Sequence, residues 1–380
     1  MDISELRTQI DEIDRDLLGA FCRRMDVSAE LAAYKKENNI PVYDPARERQ
    51  KLNDVISKTP EGLRTYASAL YSLLFDLSRS YQEKKLNPDA PLIRDITNAI
   101  ETTNKLFPRD PVVACQGIEG AYSQLACEKL FSIPNIMYCT TFESVFSAID
   151  SGLCKYGVLP LENSTAGSIN KIYDLMMKYH FYIVRSARLK IDHNLLAKKG
   201  TSLKDIKEVY SHEQAINQCG TFLKSLTGVK ITACENTAVA AQMVSDSPRR
   251  DVAALSSRYC ADLYGLECLA DSVQDKGNNY TRFITISKAL EIYPGADKTS
   301  IMLSIPHKPG SLYRILARFY ALGINLIKLE SRPIPDRDFE FMFYFDLETP
   351  VYSPEFIQLM NELSGVCEEF RYLGSYSEIV

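Results

Sequence analysis

Apolar residues at Ile3, Leu6, Ile10, Ile13, Leu17, Ala20, Val27, Leu31 and Tyr34 follow the alternating three-and-four spacing of a helical seam, which predicts one long N-terminal helix. Arg24 occupies a position of that seam. A guanidinium is rarely desolvated without an anion, and a long apolar stripe needs another helix to cover it. Either Arg24 pairs with an acid such as Glu48, or the missing anion is a ligand. Eleven residues on, at about 100° each, Lys35 returns to within roughly 20° of Arg24, so both cations face one space. Arg7 lies too far along the axis to share it and is placed to serve a second copy of the site across a dimer. The run Pro41-Val42-Tyr43-Asp44-Pro45 breaks the helix, Ala46-Arg47-Glu48-Arg49 opens a second, and a third ends in Ser78 and Gln82, spaced to face the same way.

The pattern then changes. Leu86-Asn87-Pro88-Asp89-Ala90-Pro91 breaks the third helix, a short amphipathic stretch leads to Phe107-Pro108-Arg109-Asp110-Pro111, and a domain boundary is expected here. Short β-rich runs next alternate with helical ones. Val112–Cys115 precedes Tyr122–Phe131, Tyr156–Leu161 precedes Ile169–Tyr179, and Val209-Tyr210-Ser211 leads into a helix from His212 to Leu223. With Val229–Ala233 and Val252–Leu255, each also leading into a helix, this is the rhythm of an open α/β sheet in two lobes. From Lys298 the order becomes strand, helix, strand, strand, helix, strand: Ser300–Pro306, Gly310–Leu322, Ile324–Pro333, Phe339–Leu347, Pro354–Leu363 and Glu368–Tyr376, a ferredoxin-like βαββαβ unit.

A chain of 380 residues has room for two or three domains. Its ten cysteines form no close C-x-x-C pair and its four histidines no ligand-like spacing, so no metal, cofactor or disulfide framework is expected. No basic leader or membrane-length apolar run is present, and a cytoplasmic protein is expected. A net charge of -5 without a basic tail disfavours nucleic acid as a partner. Small anions must then be captured by local cations and helix ends. The loop Gln116-Gly117-Ile118-Glu119-Gly120-Ala121 lacks the GxGxxG of a dinucleotide site.

The first group of candidates contains cations, an amide and two acids, with no nucleophile or histidine, a set suited to holding and polarising. Through Arg7, Arg24, Lys35, Asp44, Arg47, Glu48, Ser78 and Gln82, residues 1–88 resemble the all-helical chorismate mutases, intertwined dimers that turn chorismate into prephenate by a Claisen rearrangement without a cofactor. The resemblance implies that Arg24 and Arg47, with Arg7 of a second copy, hold two carboxylates. Lys35 and Gln82 would donate to the ether oxygen, and Glu48 and Asp44 would take the ring hydroxyl and nearby polar groups.

The loop Pro160-Leu161-Glu162-Asn163-Ser164-Thr165-Ala166-Gly167 ends a predicted strand and runs toward a helix, where small polar groups either bind an anion or merely cap the helix. Asn278-Asn279-Tyr280-Thr281-Arg282-Phe283 opens another strand. Together with Gly120-Ala121-Tyr122-Ser123 and Ser211-His212-Glu213-Gln214, these segments make residues 109–288 resemble prephenate dehydratase. That family has a two-lobed, periplasmic-binding-protein-like α/β fold and makes phenylpyruvate with loss of water and carbon dioxide. The resemblance implies Thr281 at the departing hydroxyl, Arg282 on a carboxylate, Phe283 on the ring, and Glu162, Asn163, Ser164 and Ser211 lining the pocket. Because a threonine hydroxyl is a poor acid, Thr281 either relays a proton or stabilises the leaving oxygen. Glu162 or His212 could be the source, and the sequence does not choose.

In residues 298–380, Pro309-Gly310-Ser311-Leu312 and Glu330-Ser331-Arg332-Pro333 resemble the amino-acid-binding motifs of ACT domains, which implies phenylalanine as an effector. The plainer alternative is a dimerisation module. Taken together, the chain resembles the bifunctional chorismate mutase/prephenate dehydratases, with a homodimer or higher homo-oligomer expected and no membrane or nucleic-acid partner. Two rivals are a mutase fused to an arogenate dehydratase, and a phenylalanine-responsive binding protein with an inactive cleft.

Overall fold

The computed structural model describes residues 2–86, 91–335, 337–338, 340–364 and 367–380, without the side chains of residues 83, 84 and 364. The break expected over 86–91 falls on residues 87–90, outside the described ones, as does Phe339 at the expected start of a strand. The described chain forms two compact units. One comprises residues 1–95, 305–323 and 352–370, and the other residues 96–304, 324–351 and 371–380.

The first unit is helical. Its helices are α1 (Ile3–Glu37), α2 (Pro45–Lys58) and α3 (Arg64–Leu86), joined by the start of α4 (Pro91–Thr102). Asp2 caps α1 in a reciprocal box with Glu5, and Asp44 caps α2 with Pro45 in its first turn. The seam of α1 is not covered: Ile3, Ile10, Ile13 and Leu17 are each more than half exposed. A helix with so wide an uncovered apolar stripe has no reason to stay extended in water unless something packs on it.

The second unit holds the sheets. In chain order it runs β1 (Val112–Gln116), α5 (Tyr122–Leu130), β2 (Asn135–Cys139), α6 (Phe142–Asp150), β3 (Tyr156–Asn163), β4 (Gly167–Ser168), α7 (Asn170–Lys178) and β5 (Tyr182–Lys190). Then come β6 (Asn194–Lys198), β7 (Glu208–Ser211), α8 (Glu213–Gln218), α9 (Gly220–Ser225), β8 (Lys230–Ala233), α10 (Thr237–Asp246), β9 (Val252–Ser256), α11 (Tyr259–Leu263), β10 (Leu266–Ala270) and β11 (Tyr280–Ser287). The remaining elements are β12 (Lys298–Ser304), α12 (Ser311–Ala321), β13 (Asn325–Pro333), β14 (Phe341–Glu348), α13 (Pro354–Ser364), β15 (Glu369–Tyr376) and β16 (Glu378–Ile379); α12 and α13 belong to the helical unit.

Three sheets result, with orders β16-β5-β11-β3-β1-β2, β10-β6-β9-β7-β8 and β13-β14-β12-β15, β4 being attached to β3 in the first. The last order is that of a ferredoxin-like unit. Both larger sheets are mixed: β1 is parallel to β2 and β3, whereas β11 returns antiparallel between β3 and β5. The chain leaves the first sheet after β5 to build the second and comes back after β10. Only residues 191–193 and 271–279 bridge the two lobes. A core that includes Leu159, Ile284, Ile286, Tyr173, Tyr344 and Tyr376 lies between the first and third sheets.

Two local expectations are revised. The helix expected from His212 to Leu223 divides at Cys219 into α8 and α9. The Glu162–Gly167 loop does not open a helix: it turns back as the β3–β4 hairpin, with Gly167 at φ 83°, and α7 starts later without a side-chain cap. Among the described residues, no helix is long and apolar enough to cross a membrane.

Candidate active sites

In the helical unit a cavity of about 260 Å³ is lined by Arg24, Ser28 and Lys35 of α1, Asp44, Arg47 and Glu48 at the head of α2, and Ser78, Arg79 and Gln82 of α3. Arg24 donates to Ser78 Oγ and, at 3.0 Å, to Leu74 O. Among the described residues no carboxylate is in ion-pair range of it, so its charge is met only by neutral acceptors. Burial lowers its pKa, partly opposed by Tyr71, but a guanidinium remains a cation there. Lys35 Nζ donates to Val42 O at 2.6 Å. Glu48 is paired with Arg79, not with Arg24. Asp44 Oδ1 accepts from Arg47 N at 3.0 Å as the cap of α2. The buried carbonyl oxygen of Gln82 has no hydrogen-bond partner. The result is a small polar chamber with an excess of cations.

In the other unit two adjoining cavities of about 320 and 500 Å³ open at the cleft between the lobes, and both are bordered by His212, Gln214 and Gln218. Cross-strand pairing places Thr281 beside Asn163. The N–H groups of Thr165 and Ala166 both donate to Asn163 Oδ1, at 3.0 and 2.9 Å, which fixes the orientation of the amide. Asn163 Nδ2 therefore faces Thr281 Oγ1 at 2.9 Å and Asn279 Oδ1 at 2.8 Å. The Thr281 hydroxyl accepts that bond, so its own proton is available to the cleft. The network continues outward. Asn279 Nδ2 donates to Gln218 Oε1 at 2.9 Å, so His193 Nε2, 3.0 Å from that oxygen, carries the ring proton. His212 Nδ1 accepts from Gln214 N at 3.2 Å, which puts its proton on Nε2. Burial lowers the pKa of both histidines, so both rings are neutral near pH 7.

Comparison with known proteins gives these sites a family. The chorismate mutase type II profile matches residues 6–83 and the prephenate dehydratase profile residues 113–291. The bifunctional chorismate mutase/prephenate dehydratase of Aquifex aeolicus is 30% identical over 377 residues, 99% of this chain and 98% of the relative. This chain belongs to the bifunctional chorismate mutase/prephenate dehydratase family. It is an isomerase and a lyase of aromatic amino acid biosynthesis, converting chorismate to prephenate and prephenate to phenylpyruvate. The arogenate dehydratase/prephenate dehydratase 2 of Arabidopsis thaliana is 35% identical over 311 residues, 78% of this chain and 81% of that protein. The solved prephenate dehydratase of Arthrobacter aurescens in complex with L-Phe aligns with a TM-score of 0.64 at 27% identity, over 70% of this chain and 89% of its own.

In the mutase domain the expected residues Arg24, Lys35, Asp44, Arg47, Glu48, Ser78 and Gln82 border one cavity. Arg7 is exposed on α1 and absent from this chain's cavity lining, as its distance along the helix requires. The dehydratase cleft takes only part of its expected set: Asn163, Thr281, Phe283 and His212 line it. Strand alternation sends Arg282 and Glu162 to the opposite face. There Arg282 pairs with Asp346, and its Nε lies 2.8 Å from Glu162 Oε1, an ion contact without hydrogen-bond alignment. Burial opposes that charge, but Asp346, together with Tyr376, Tyr344 and Glu162, outweighs it and holds the Arg282 pKa above its ordinary value. Neither the carboxylate anchor assigned to Arg282 nor the proton source considered at Glu162 is in the cleft. Ser164 is exposed and exchanges hydrogen bonds with the Asn278–Tyr280 backbone, while Ser211 is fully buried with its hydroxyl donating to Leu255 O at 2.8 Å. Both serve structure there.

The residues that sequence reasoning missed are His193, Gln218 and Asn279. His193 and Asn279 arrive on the two bridging segments, and Gln218 faces them from the end of α8. Asn279 lies in the Asn278–Phe283 run without having been given a role there, and the signal for Gln218 is its spacing four residues after Gln214. On the far side of the first sheet, Lys328 pairs with Glu162 and donates to Ser168 Oγ at 2.8 Å, which in turn donates to Glu330 at 2.5 Å. Arg332 grips Asp174 with two bonds of 3.0 Å. Ser331 and Pro333 are exposed, and Gly310 starts α12 at φ 81° with Pro309 before it and Ser311 and Leu312 after it.

Proposed function

We propose that the helical cavity performs the mutase step by clasping the chorismate dianion between Arg24, Arg47 and the Arg7 of a second copy. Lys35 and Gln82 meet the ether oxygen as its bond breaks. The observation that supports this most directly is Arg24, a half-buried cation whose protein partners are all neutral. Rotation of the Gln82 amide puts an N–H donor where its unpartnered oxygen now lies. No group in this set changes its proton count, and donors fixed beforehand stabilise charge as it grows. The uncovered α1 seam fits an intertwined homodimer, which would bring the second Arg7 to the cavity.

In the dehydratase cleft the ring carboxylate leaves as carbon dioxide. Its bonding electrons enter the ring, and the hydroxyl departs with its own pair as aromaticity forms. Thr281, whose proton is unspent in the network around Asn163, donates to that oxygen, and Phe283 packs against the ring. His212, a neutral ring with its N–H on Nε2 at the cleft wall, is a second hydrogen-bond donor for that oxygen, which leaves as hydroxide and takes its proton from solvent. The βαββαβ region acts as an ACT domain that takes phenylalanine through Pro309–Leu312 and Glu330–Pro333 and slows the dehydratase in a cytoplasmic enzyme. The L-Phe held by the Arthrobacter aurescens relative supports that effector.

The deciding experiment supplies the purified chain with chorismate, with and without phenylalanine, and separates the products. Prephenate followed by phenylpyruvate is expected, with the second step slowed by phenylalanine. Faster turnover of arogenate than of prephenate would replace the dehydratase substrate, and unchanged velocity with phenylalanine demonstrably bound would remove the feedback.

A further inference from the structure

Glu48 presents an electrostatic problem, because a carboxylate in a chamber built for a dianion repels the guest unless its own charge is met. That counter-charge is Arg79 of α3, which lines the same cavity. The guanidinium is fixed from three directions: Nη1 donates to Glu48 Oε1, Nη2 donates to Asp76 Oδ1, and the guanidinium carbon stands 5.1 Å over the ring centroid of Tyr43. The side chains of Arg79 and Asp76 are 19% and 9% exposed, too enclosed for an ordinary surface pair. Asp76 Oδ2 lies 3.9 Å from Arg314 Nε, so this second carboxylate is itself held. Glu48 Oε2 has no protein partner among the described residues and stays available to a ligand hydroxyl.

We propose that Arg79 is a positioning residue of the mutase reaction. It fixes the Glu48 carboxylate at the ring hydroxyl of chorismate and cancels the charge that would otherwise repel the substrate, while Asp76 and Tyr43 hold the guanidinium in place. Arg79 acts through Glu48 and not on the reacting bonds, so the proposal rests on the hydroxyl-binding role read for Glu48.

The test is a double-mutant cycle on the full-length protein, following chorismate consumption in Arg79→Gln, Arg79→Lys, Glu48→Gln and the Arg79→Gln/Glu48→Gln pair. Glu48→Gln and Arg79→Gln are each expected to lower kcat/KM by about tenfold or more, and Arg79→Lys to restore part of the loss. In the Glu48→Gln background, Arg79→Gln is expected to change kcat/KM by less than about twofold, which a merely structural arginine would not produce. Losses that multiply in the double variant, or an Arg79→Gln enzyme with normal kcat/KM, overturn the proposal and leave the role of Glu48 standing. Full activity in Glu48→Gln removes that role and the proposal with it. Should Arg79→Gln lose its thermal transition, Asp76→Asn replaces it in the cycle, with a smaller loss that must likewise vanish when Glu48 is Gln.

Discussion

Replacing Thr281 by valine keeps the branched shape and removes one oxygen from the dehydratase cleft. In the resting enzyme the change costs little: Asn163 Nδ2 loses Thr281 Oγ1 but keeps Asn279 Oδ1 at 2.8 Å and Tyr280 O at 3.2 Å, so the loss is at most about 1 kcal/mol. The reaction loses more. Thr281 is only 8% exposed, and in its proposed role its free proton meets an oxygen that gains negative charge as the C–O bond breaks. Removing one preorganised donor of that kind costs about 3 kcal/mol, or roughly 150-fold at 1.36 kcal/mol per decade. Because the second effect exceeds the first, the loss should fall on kcat with little change in KM. The assay is phenylpyruvate formation from prephenate, with chorismate consumption by the same protein as the control that must not move. Thr281→Ser, which keeps the hydroxyl, should stay within about tenfold of the parent. A valine variant that keeps more than about a third of the parental kcat would refute the assignment of Thr281 to the leaving oxygen.

Three further outcomes are expected. Leu6→Asp combined with Ile10→Asp puts charge on an exposed apolar seam worth about 2 kcal/mol per covered residue, so sedimentation should show dissociation of the proposed dimer together with loss of mutase activity; an unchanged mass would exclude the α1 interface. Gly310→Val forces a β-branched residue to φ 81° and should weaken phenylalanine inhibition, read from dehydratase velocity against phenylalanine concentration, without altering the uninhibited rate; an unshifted inhibition curve counts against that motif. Burial holds His193 below its ordinary 6.5, so the unfolded chain takes up the proton first as pH falls: the stability contributed by the neutral ring is complete above about 6.5 and lost as pH drops through the folded value. His193→Gln should therefore flatten the fall of Tm between about pH 7 and 5, and an identical slope in both proteins would contradict the burial argument.

The long α1 helix and the order of later elements were legible because local periodicity encodes them: a 3.5-residue seam from Ile3 to Tyr34, and short β-branched runs such as Val112–Cys115. The mutase cavity was legible too, since helical spacing projects Arg24, Lys35, Ser78 and Gln82 into calculable directions. The dehydratase site was legible only in part. Neighbours in Thr281-Arg282-Phe283 point to opposite faces of a strand, so one motif cannot put all three side chains in one pocket. His193 and Asn279 reach the cleft because the chain crosses between lobes twice, a long-range event with no local signature. Ser211 was misread for a similar reason: a serine at a strand end looks like a ligand group until the neighbouring strand supplies Leu255 O as its partner.

The alternation along β11 ties two properties of the enzyme to one alignment. Thr281 looks into the cleft while its neighbour Arg282 is locked to Asp346 of the third sheet, and the facing strand repeats the division with Asn163 and Glu162. A single inserted or deleted residue in β11 would exchange the faces, presenting a guanidinium to prephenate and leaving Asp346 unmatched. With Thr281 in its proposed role, turnover and docking of the C-terminal sheet depend on one register, so either can be adjusted by replacing side chains but not by changing the length of this strand.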